Sequence, residues 1–312
     1  MFKKILFATT ALPNSDNAAK VAFDLAYRYE ASLFLFHVLG IPSRGFSHMV
    51  KDLKSGEQDF LDDDYRAWVD EELQTVYADL LEGMQEGSVK KHLAAGVPAT
   101  EVLRFARQEN VDLIVMGAHN REDSDSASSR VREIIGNTMQ KVARSARCPV
   151  LIVNRPCTTC WKLFSNIIFC TDFSKAADAA FQFAYNTARD VGARLYLFHS
   201  VDISNTLEGV LSGQSEIEQK VAGARKLMQQ KYIARMGDYD NYQTEIWEGT
   251  PYVEILKYAR DRQADLVVMA HHTKEFPNEE EAEIGSTVEQ VVLRSACPVA
   301  SVNRPDKLET MA

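Results

Sequence analysis

The chain has few cysteines, no basic surplus and no long apolar run. Five cysteines in 312 residues are an odd and sparse set, which argues against a disulfide scaffold and fits a reducing cytoplasm. Lysine and arginine number 35 against 44 aspartates and glutamates, a net charge of −9. A protein that binds duplex nucleic acid normally carries a basic surplus to neutralise phosphates, so no nucleic-acid partner is expected. No stretch reaches the roughly 18 consecutive apolar residues that would cross a bilayer, so no membrane partner is expected either. Catalytic signatures are missing as well: G-x-x-x-x-G-K-[ST], G-x-S-x-G and H-E-x-x-H are all absent. No catalytic residue is assigned, and the chain is not read as an enzyme. The acidic residues in 59–72 read as the solvated face of a helix.

What is present is ordinary globular composition, with 46% hydrophobic and 25% charged residues, and length for about two domains. The opening Phe2-Lys3-Lys4-Ile5-Leu6-Phe7-Ala8-Thr9-Thr10 has the outline of a secretory signal. A near copy, Asn166-Ile167-Ile168-Phe169-Cys170-Thr171, lies mid-chain where no signal operates, so both read as buried strands. The duplication runs through the chain. Ala31-Ser32-Leu33-Phe34-Leu35-Phe36-His37-Val38 returns as Ala193-Arg194-Leu195-Tyr196-Leu197-Phe198-His199-Ser200. Val111-Asp112-Leu113-Ile114-Val115-Met116 returns as Ala264-Asp265-Leu266-Val267-Val268-Met269. Cys148-Pro149-Val150 with Val153-Asn154-Arg155-Pro156 returns as Cys297-Pro298-Val299 with Val302-Asn303-Arg304-Pro305. A period of half the chain means two whole domains, placed at 1–156 and 166–312 with a linker at 157–165.

Within each half, apolar runs alternate with helical patterns. Ser174 is a plausible helix N-cap and Gly192 a helix stop. Pro98 and Pro251 start later helices at no hydrogen-bond cost. A long helix is expected from about Gln58 to Met84. Strands alternating with helices imply a parallel sheet covered on both faces, whose ligands sit at the strands' carboxyl ends. The fold class is α/β: two Rossmann-like domains, each a five-stranded parallel sheet.

The segments at those strand ends resemble the universal stress protein family. That family has an apolar strand followed by Thr/Val-Asp-x-Ser, a strand ending His-Val, and a strand ending Met-Gly-x-His-Gly. After a spacer come Gly-Ser, a helix and Cys-Pro-Val. The matching residues are Thr171-Asp172-Phe173-Ser174, Phe36-His37-Val38, Met116-Gly117-Ala118-His119-Asn120, Gly285-Ser286-Thr287, and both Cys-Pro-Val segments. The resemblance implies a non-catalytic cytoplasmic stress-response regulator with ATP or another adenine nucleotide as candidate ligand. In ATP-binding members, glycines let backbone N–H groups approach phosphates beside a helix N-terminus. The Asp after the first strand and the backbone at the second strand's end contact the nucleoside.

Carried over, the candidate binding residues are Thr10, Val38, Gly117, Asn120, Gly136, Asn137 and Thr138 in the first half, and Asp172, Ser200, Gly285, Ser286 and Thr287 in the second. Neither half keeps the whole pattern. In the first, Thr10 replaces the Asp, Asn120 the second glycine and Asn137 the hydroxyl residue, while Arg130 and Arg132 remain available to an anion. In the second, Ala270 and Thr273 replace both early glycines, and the spacer carries Glu279, Glu280, Glu281 and Glu283, which would repel a triphosphate. Two further readings stay open: an interaction scaffold of the same fold that binds no nucleotide, and a thiol or metal sensor at Cys157 and Cys160. A lone C-x-x-C supplies only two ligands, half of a structural zinc site, and no metal site is assigned. His37 and His199 read as hydrogen-bonded structural residues, and Cys148 and Cys297 as core thiols. By resemblance, the closing strands Val150–Val153 and Val299–Val302 are expected to pair within the chain as a pseudo-dimer. Further association into a homodimer and the identity of protein partners are open.

Overall fold

The computed structural model describes residues 2–11, 16–40, 49–51, 58–118, 137–155, 164–203, 213–270 and 286–302. The chain divides into two compact units, Met1–Val153 and Asn154–Ala312.

The first unit runs β1 (Lys4–Thr9), α1 (Asp16–Tyr29), β2 (Ser32–Gly40), a short antiparallel hairpin of β3 (Met49–Lys51) and β4 (Gln58–Phe60), α2 (Asp63–Val76), α3 (Ala78–Glu82), β5 (Val89–Gly96), α4 (Pro98–Gln108), β6 (Leu113–Gly117), α5 (Asn137–Ser145) and β7 (Val150–Val153). Its sheet is wholly parallel, in the order β5-β2-β1-β6-β7. The second unit runs β8 (Asn166–Cys170), α6 (Lys175–Val191), β9 (Arg194–Val201), α7 (Gln214–Lys231), β10 (Tyr242–Glu248), α8 (Pro251–Asp261), β11 (Leu266–Met269), α9 (Ser286–Arg294) and β12 (Val299–Ser301). Its parallel order, β10-β9-β8-β11-β12, matches the first unit strand for strand. In each unit the order reverses between the first strand and the strand beside it, β6 or β11. That reversal opens the crevice where doubly wound sheets take ligands.

Alternation along the strands sends successive side chains to opposite faces. Phe7 faces α1 and α2, meeting Phe23 through Tyr77. Its neighbours Phe34 and Phe36 face α4 and meet Phe105 at centroid distances of 5.1 and 4.7 Å. The second unit repeats this: Phe169 packs on Phe181 and Tyr232, while Tyr196 and Phe198 pack on Tyr258 of α8. The helix signals work as the sequence indicates. Ser174 caps α6 by accepting from Ala177 N, and Gly192 ends that helix in the left-handed conformation at φ 69°. Pro98 and Pro251 open α4 and α8.

One expectation is corrected. The long helix from Gln58 to Met84 is broken twice. Gln58–Phe60 belongs to the hairpin, and the helix stops at Tyr77, where φ is −108°. Tyr77 is taken out of the helical path because its ring is buried and its hydroxyl is bound 2.6 Å from Thr9 Oγ1.

That bond belongs to a corner built twice. Thr9 Oγ1 also accepts from Ala11 N at 2.9 Å, and the Thr9 carbonyl accepts from His37 Nδ1 at 3.0 Å. In the second unit Thr171 Oγ1 meets the Tyr232 hydroxyl at 2.7 Å and accepts from Phe173 N at 2.9 Å; the Thr171 carbonyl accepts from His199 Nδ1 at 2.7 Å. The residue two places after the strand end, Ala11 or Phe173, stands at positive φ, 57° or 62°. Burial pushes the Tyr232 hydroxyl up to about 12, so it stays protonated and able to donate. At the other end of the sheet, Asp265 is 2% exposed and accepts from Ser165 N at 2.7 Å and Asn166 N at 3.1 Å. Asp112 does the same for Lys3 N and Lys4 N, both at 2.9 Å. Burial raises the Asp265 carboxyl from 3.8 to about 6, outweighing those amide donors.

Two predictions follow from these contacts. Tyr232→Phe leaves Thr171 without its hydroxyl partner and should cost about 1–2 kcal/mol in urea unfolding; combined with Thr171→Val, the loss should be less than additive. For Asp265, the folded state holds its proton more tightly than the unfolded chain. Its stabilising contribution is therefore full below about pH 4 and is lost as pH rises through about 6. The stability of wild type relative to Asp265→Asn should fall by about 1–3 kcal/mol across that window, and a flat difference would refute the assignment.

Candidate functional site

At the carboxyl edge of the second-unit sheet, in the crevice between β8 and β11, lies an open cavity of about 290 Å³. Its floor is apolar and buried: Cys170 ends β8, Phe198 comes from β9, Met269 ends β11, Ile255 projects from α8 and Val288 from α9. Its rim is polar and reachable by solvent: Asp172 follows β8, Ser200 lies on β9, and Ser286 and Thr287 open α9. Pro251 and Ala270 complete the wall, beside Thr171 and His199.

Local chemistry fixes each rim group. Asp172 follows the strand-end corner, and its Oδ1 accepts from Ser174 N at 3.0 Å. Ser174, not Asp172, is the cap of α6. Ser200 Oγ donates to the Gly249 carbonyl at 3.2 Å. Gly249 holds φ 146°, and a Cβ there would meet Glu254 Cγ and Oε1 at 2.8 Å, so only glycine lets this carbonyl reach Ser200. Gly96 and Glu101 repeat the arrangement in the first unit, at φ 149° and 2.9 Å. The amides of the first turn of α9 have no helical acceptor and carry partial positive charge beside Ser286.

Burial sets the protonation of two groups beside the rim. Burial, reinforced by Cys297, drives the Cys170 thiol far above its ordinary range, so it offers no thiolate. His199 is lowered by burial, against the raising effects of the Thr171 carbonyl and Asp172, and is neutral at pH 7 with its proton on Nδ1. Among the described residues, no group of three or more His, Cys, Asp and Glu converges to hold a metal, and no helix is long and apolar enough to cross a membrane.

Of the sequence-derived candidates, Asp172, Ser200, Ser286 and Thr287 come together around this cavity. Gly285 lies outside the described residues. In the first unit Thr10 follows β1, Val38 lies on β2, Gly117 ends β6, and Asn137 and Thr138 open α5; Asn120 and Gly136 lie outside the described residues. So do Arg130, Arg132, Cys157, Cys160, Thr273 and the glutamates of 279–283. Sequence reasoning missed the floor, namely Cys170, Phe198, Ile255, Met269 and Val288, together with Pro251. The available signal was position: Cys170 and Met269 end strands, and Pro251 and Val288 lie in the first turn of a helix, all at the carboxyl edge.

The model of the universal stress protein family matches residues 1–154 and again 163–303. A universal stress protein of Methanocaldococcus jannaschii is 28% identical over 164 residues, spanning 50% of this chain and 84% of that protein. The universal stress protein YxiE of Bacillus subtilis is 28% identical over 159 residues, spanning 49% of this chain and 99% of its own. Among solved structures, a universal stress protein of Archaeoglobus fulgidus superposes with a TM-score of 0.63 at 20% identity, covering 97% of each chain, a likeness of fold. With two matches that together span nearly its whole length, the chain belongs to the universal stress protein family, as a stress-response protein with two copies of the family's domain.

Proposed function

We propose that this chain is a non-catalytic cytoplasmic regulator that binds an adenosine-containing ligand, drawn from ATP, other adenine nucleotides and their nucleoside, in the second-unit cavity. On this reading the domains are 1–156 and 166–312, the linker is 157–165, and ligand occupancy alters which proteins the chain engages. The observation that carries the reading is the convergence of Asp172, Ser200, Ser286 and Thr287 on one cavity of about 290 Å³ at the switch point of the sheet. An apolar floor suits a purine base. A carboxylate suits a ribose diol, and the start of a helix suits polar groups beyond the sugar. Among the described residues the rim supplies neither an activated nucleophile nor a base paired to one, which supports binding without turnover.

A ligand-free interaction scaffold is the second reading. It is favoured by Ala270, whose methyl stands on the cavity wall where the family pattern has glycine.

The test is identification by mass spectrometry of small molecules released from the purified full-length protein, with calorimetric titration of adenosine, AMP and ATP. At least one adenine compound should bind, and Ser286→Trp, which fills the rim, should weaken it by at least about tenfold. Absence of any adenine compound from both measurements would leave the scaffold reading standing. Release of phosphate from ATP in step with protein concentration would refute the non-catalytic assignment.

A further inference from the structure

We infer that α7 is a hinged segment: its first half opens from the sheet as a unit about Gly223, while its second half stays fastened to the strand-end corner. This opening does not depend on what the cavity binds. The inward stripe of α7 runs through Ile217, Val221, Ala224 and Met228 at helical spacing and reaches Tyr232, the residue that closes the helix. Its burial is graded. Ile217 and Val221 are half-buried and every other residue of 214–223 is exposed, whereas Ala224, Met228 and Tyr232 are buried. The far end is fastened twice: Lys231 Nζ donates to the Phe173 carbonyl at 2.6 Å, and the Tyr232 hydroxyl meets Thr171 Oγ1 at 2.7 Å. Within the first half, Gln214 Nε2 donates to Glu218 Oε1 at 3.1 Å and Lys220 Nζ lies 2.6 Å from Glu216 Oε1. Pairs four residues apart hold those turns together as one piece.

Gly223 stands at the junction of the two halves. Glycine inside a helix shifts the balance about fivefold toward opening, relative to alanine. Proteins keep it where a side chain would clash or where φ turns positive. Neither holds here: a Cβ at Gly223 would meet nothing within 4 Å, and its φ is not positive. Packing therefore does not require this glycine, and its effect is to make the helix easier to break at that point. The first unit is built otherwise. There α2 runs into the corresponding tyrosine, Tyr77, and buries Val69 and Leu73 where α7 buries Ala224 and Met228. Counted back from the two tyrosines, Trp68 stands where α7 has Gly223. Asp62 caps α2 by accepting from Tyr65 N at 2.8 Å, and Asp70 binds it to Lys91 of β5 at 2.6 Å. At the start of α7 stands Gly213, which has no side chain to cap with. Opening the first half of α7 releases Ile217 and Val221 and changes the surface of the second unit. Thr171 and the cavity beside it keep their support throughout.

The experiment is amide hydrogen exchange on the full-length protein, read by mass spectrometry with fragmentation fine enough to separate 218–222 from 226–231. Earlier amides are set aside because the first turn of a helix has no helical acceptors. Corrected for intrinsic rates, 218–222 should exchange at least about tenfold faster than 226–231. Gly223→Ala should slow 218–222 about fivefold, and Ala222→Gly, at an exposed position, should speed it about fivefold. Both substitutions should leave 226–231 unchanged within about twofold. Lys231→Met, which removes one fastening, should speed 226–231 at least about fivefold. Equal protection of the two halves, or an effect of Gly223→Ala shared equally by both, means that α7 opens in one piece and overturns the hinge. Exchange in 218–222 that ignores both Gly223→Ala and Ala222→Gly overturns the part given to Gly223. Exchange in 226–231 that ignores Lys231→Met overturns the fastening.

Discussion

The carboxyl edge of each sheet depends on one threonine at the end of its first strand. Thr9 or Thr171 must accept a backbone amide from two residues ahead and share its hydroxyl with a buried tyrosine, while its carbonyl takes the histidine of the neighbouring strand. The amide it captures belongs to a residue other than glycine at positive φ, Ala11 or Phe173, a conformation that persists only where its surroundings over-determine it. Phe173 is held further by its ring, 4.6 Å from His199, and by Lys231 on its carbonyl. Once the chain is turned this way, the residue between threonine and turn is left at the sheet edge. In the second unit that residue is Asp172, so the position of the site's carboxylate follows from bonds made by its neighbours.

The same dependence explains why His199 is a structural group. A ring nitrogen facing a carbonyl must be the protonated one, and burial opposes the second proton. His199 is thereby a neutral strut between β9 and the end of β8, beside Ser200 on the cavity wall. Tyr232 plays the matching part below: its ring packs on Phe169 and Phe181 at 5.1 and 4.8 Å, and its hydroxyl is kept protonated by the burial that positions it.

The sequence made most of this architecture legible because buried parallel strands are near-continuous apolar runs and their duplication could be seen by eye. Ser174, Gly192, Pro98 and Pro251 marked helix ends through local chemistry that tertiary packing did not override. The edge strands were harder. Five strands per half were expected, but β5 and β10 could not be located. Val89-Lys90-Lys91-His92 and Tyr242-Gln243-Thr244-Glu245 are half exposed and rich in polar residues, so they lack the apolar run that marks a covered strand. The break at Tyr77 was hidden for a different reason: its cause is a hydroxyl 68 positions away in sequence. Of the site, the rim was readable through motif and the floor was not, since Cys170, Met269 and Val288 look like any core residue until the crevice assembles around them.

Comparison of the two halves of the chain separates what the scaffold requires from what a ligand would sense. At the positions that floor the second-unit cavity, the first half has Ala8 for Cys170, Phe36 for Phe198, Val102 for Ile255, Met116 for Met269 and Met139 for Val288, each apolar in both. At the rim it has Thr10 for Asp172, Val38 for Ser200, Gly117 for Ala270 and Asn137 for Ser286, each a change of charge, polarity or size. A floor residue is bound to the rest of its core: Phe198 packs on Tyr258 at 4.6 Å as Phe36 does on Phe105 at 4.7 Å, and a polar group there would be buried without a partner. A rim residue has no such obligation once the threonine corner has placed it. Two copies of one fold therefore share their core and differ at the rim, with the difference carried by side chains that packing leaves free to vary.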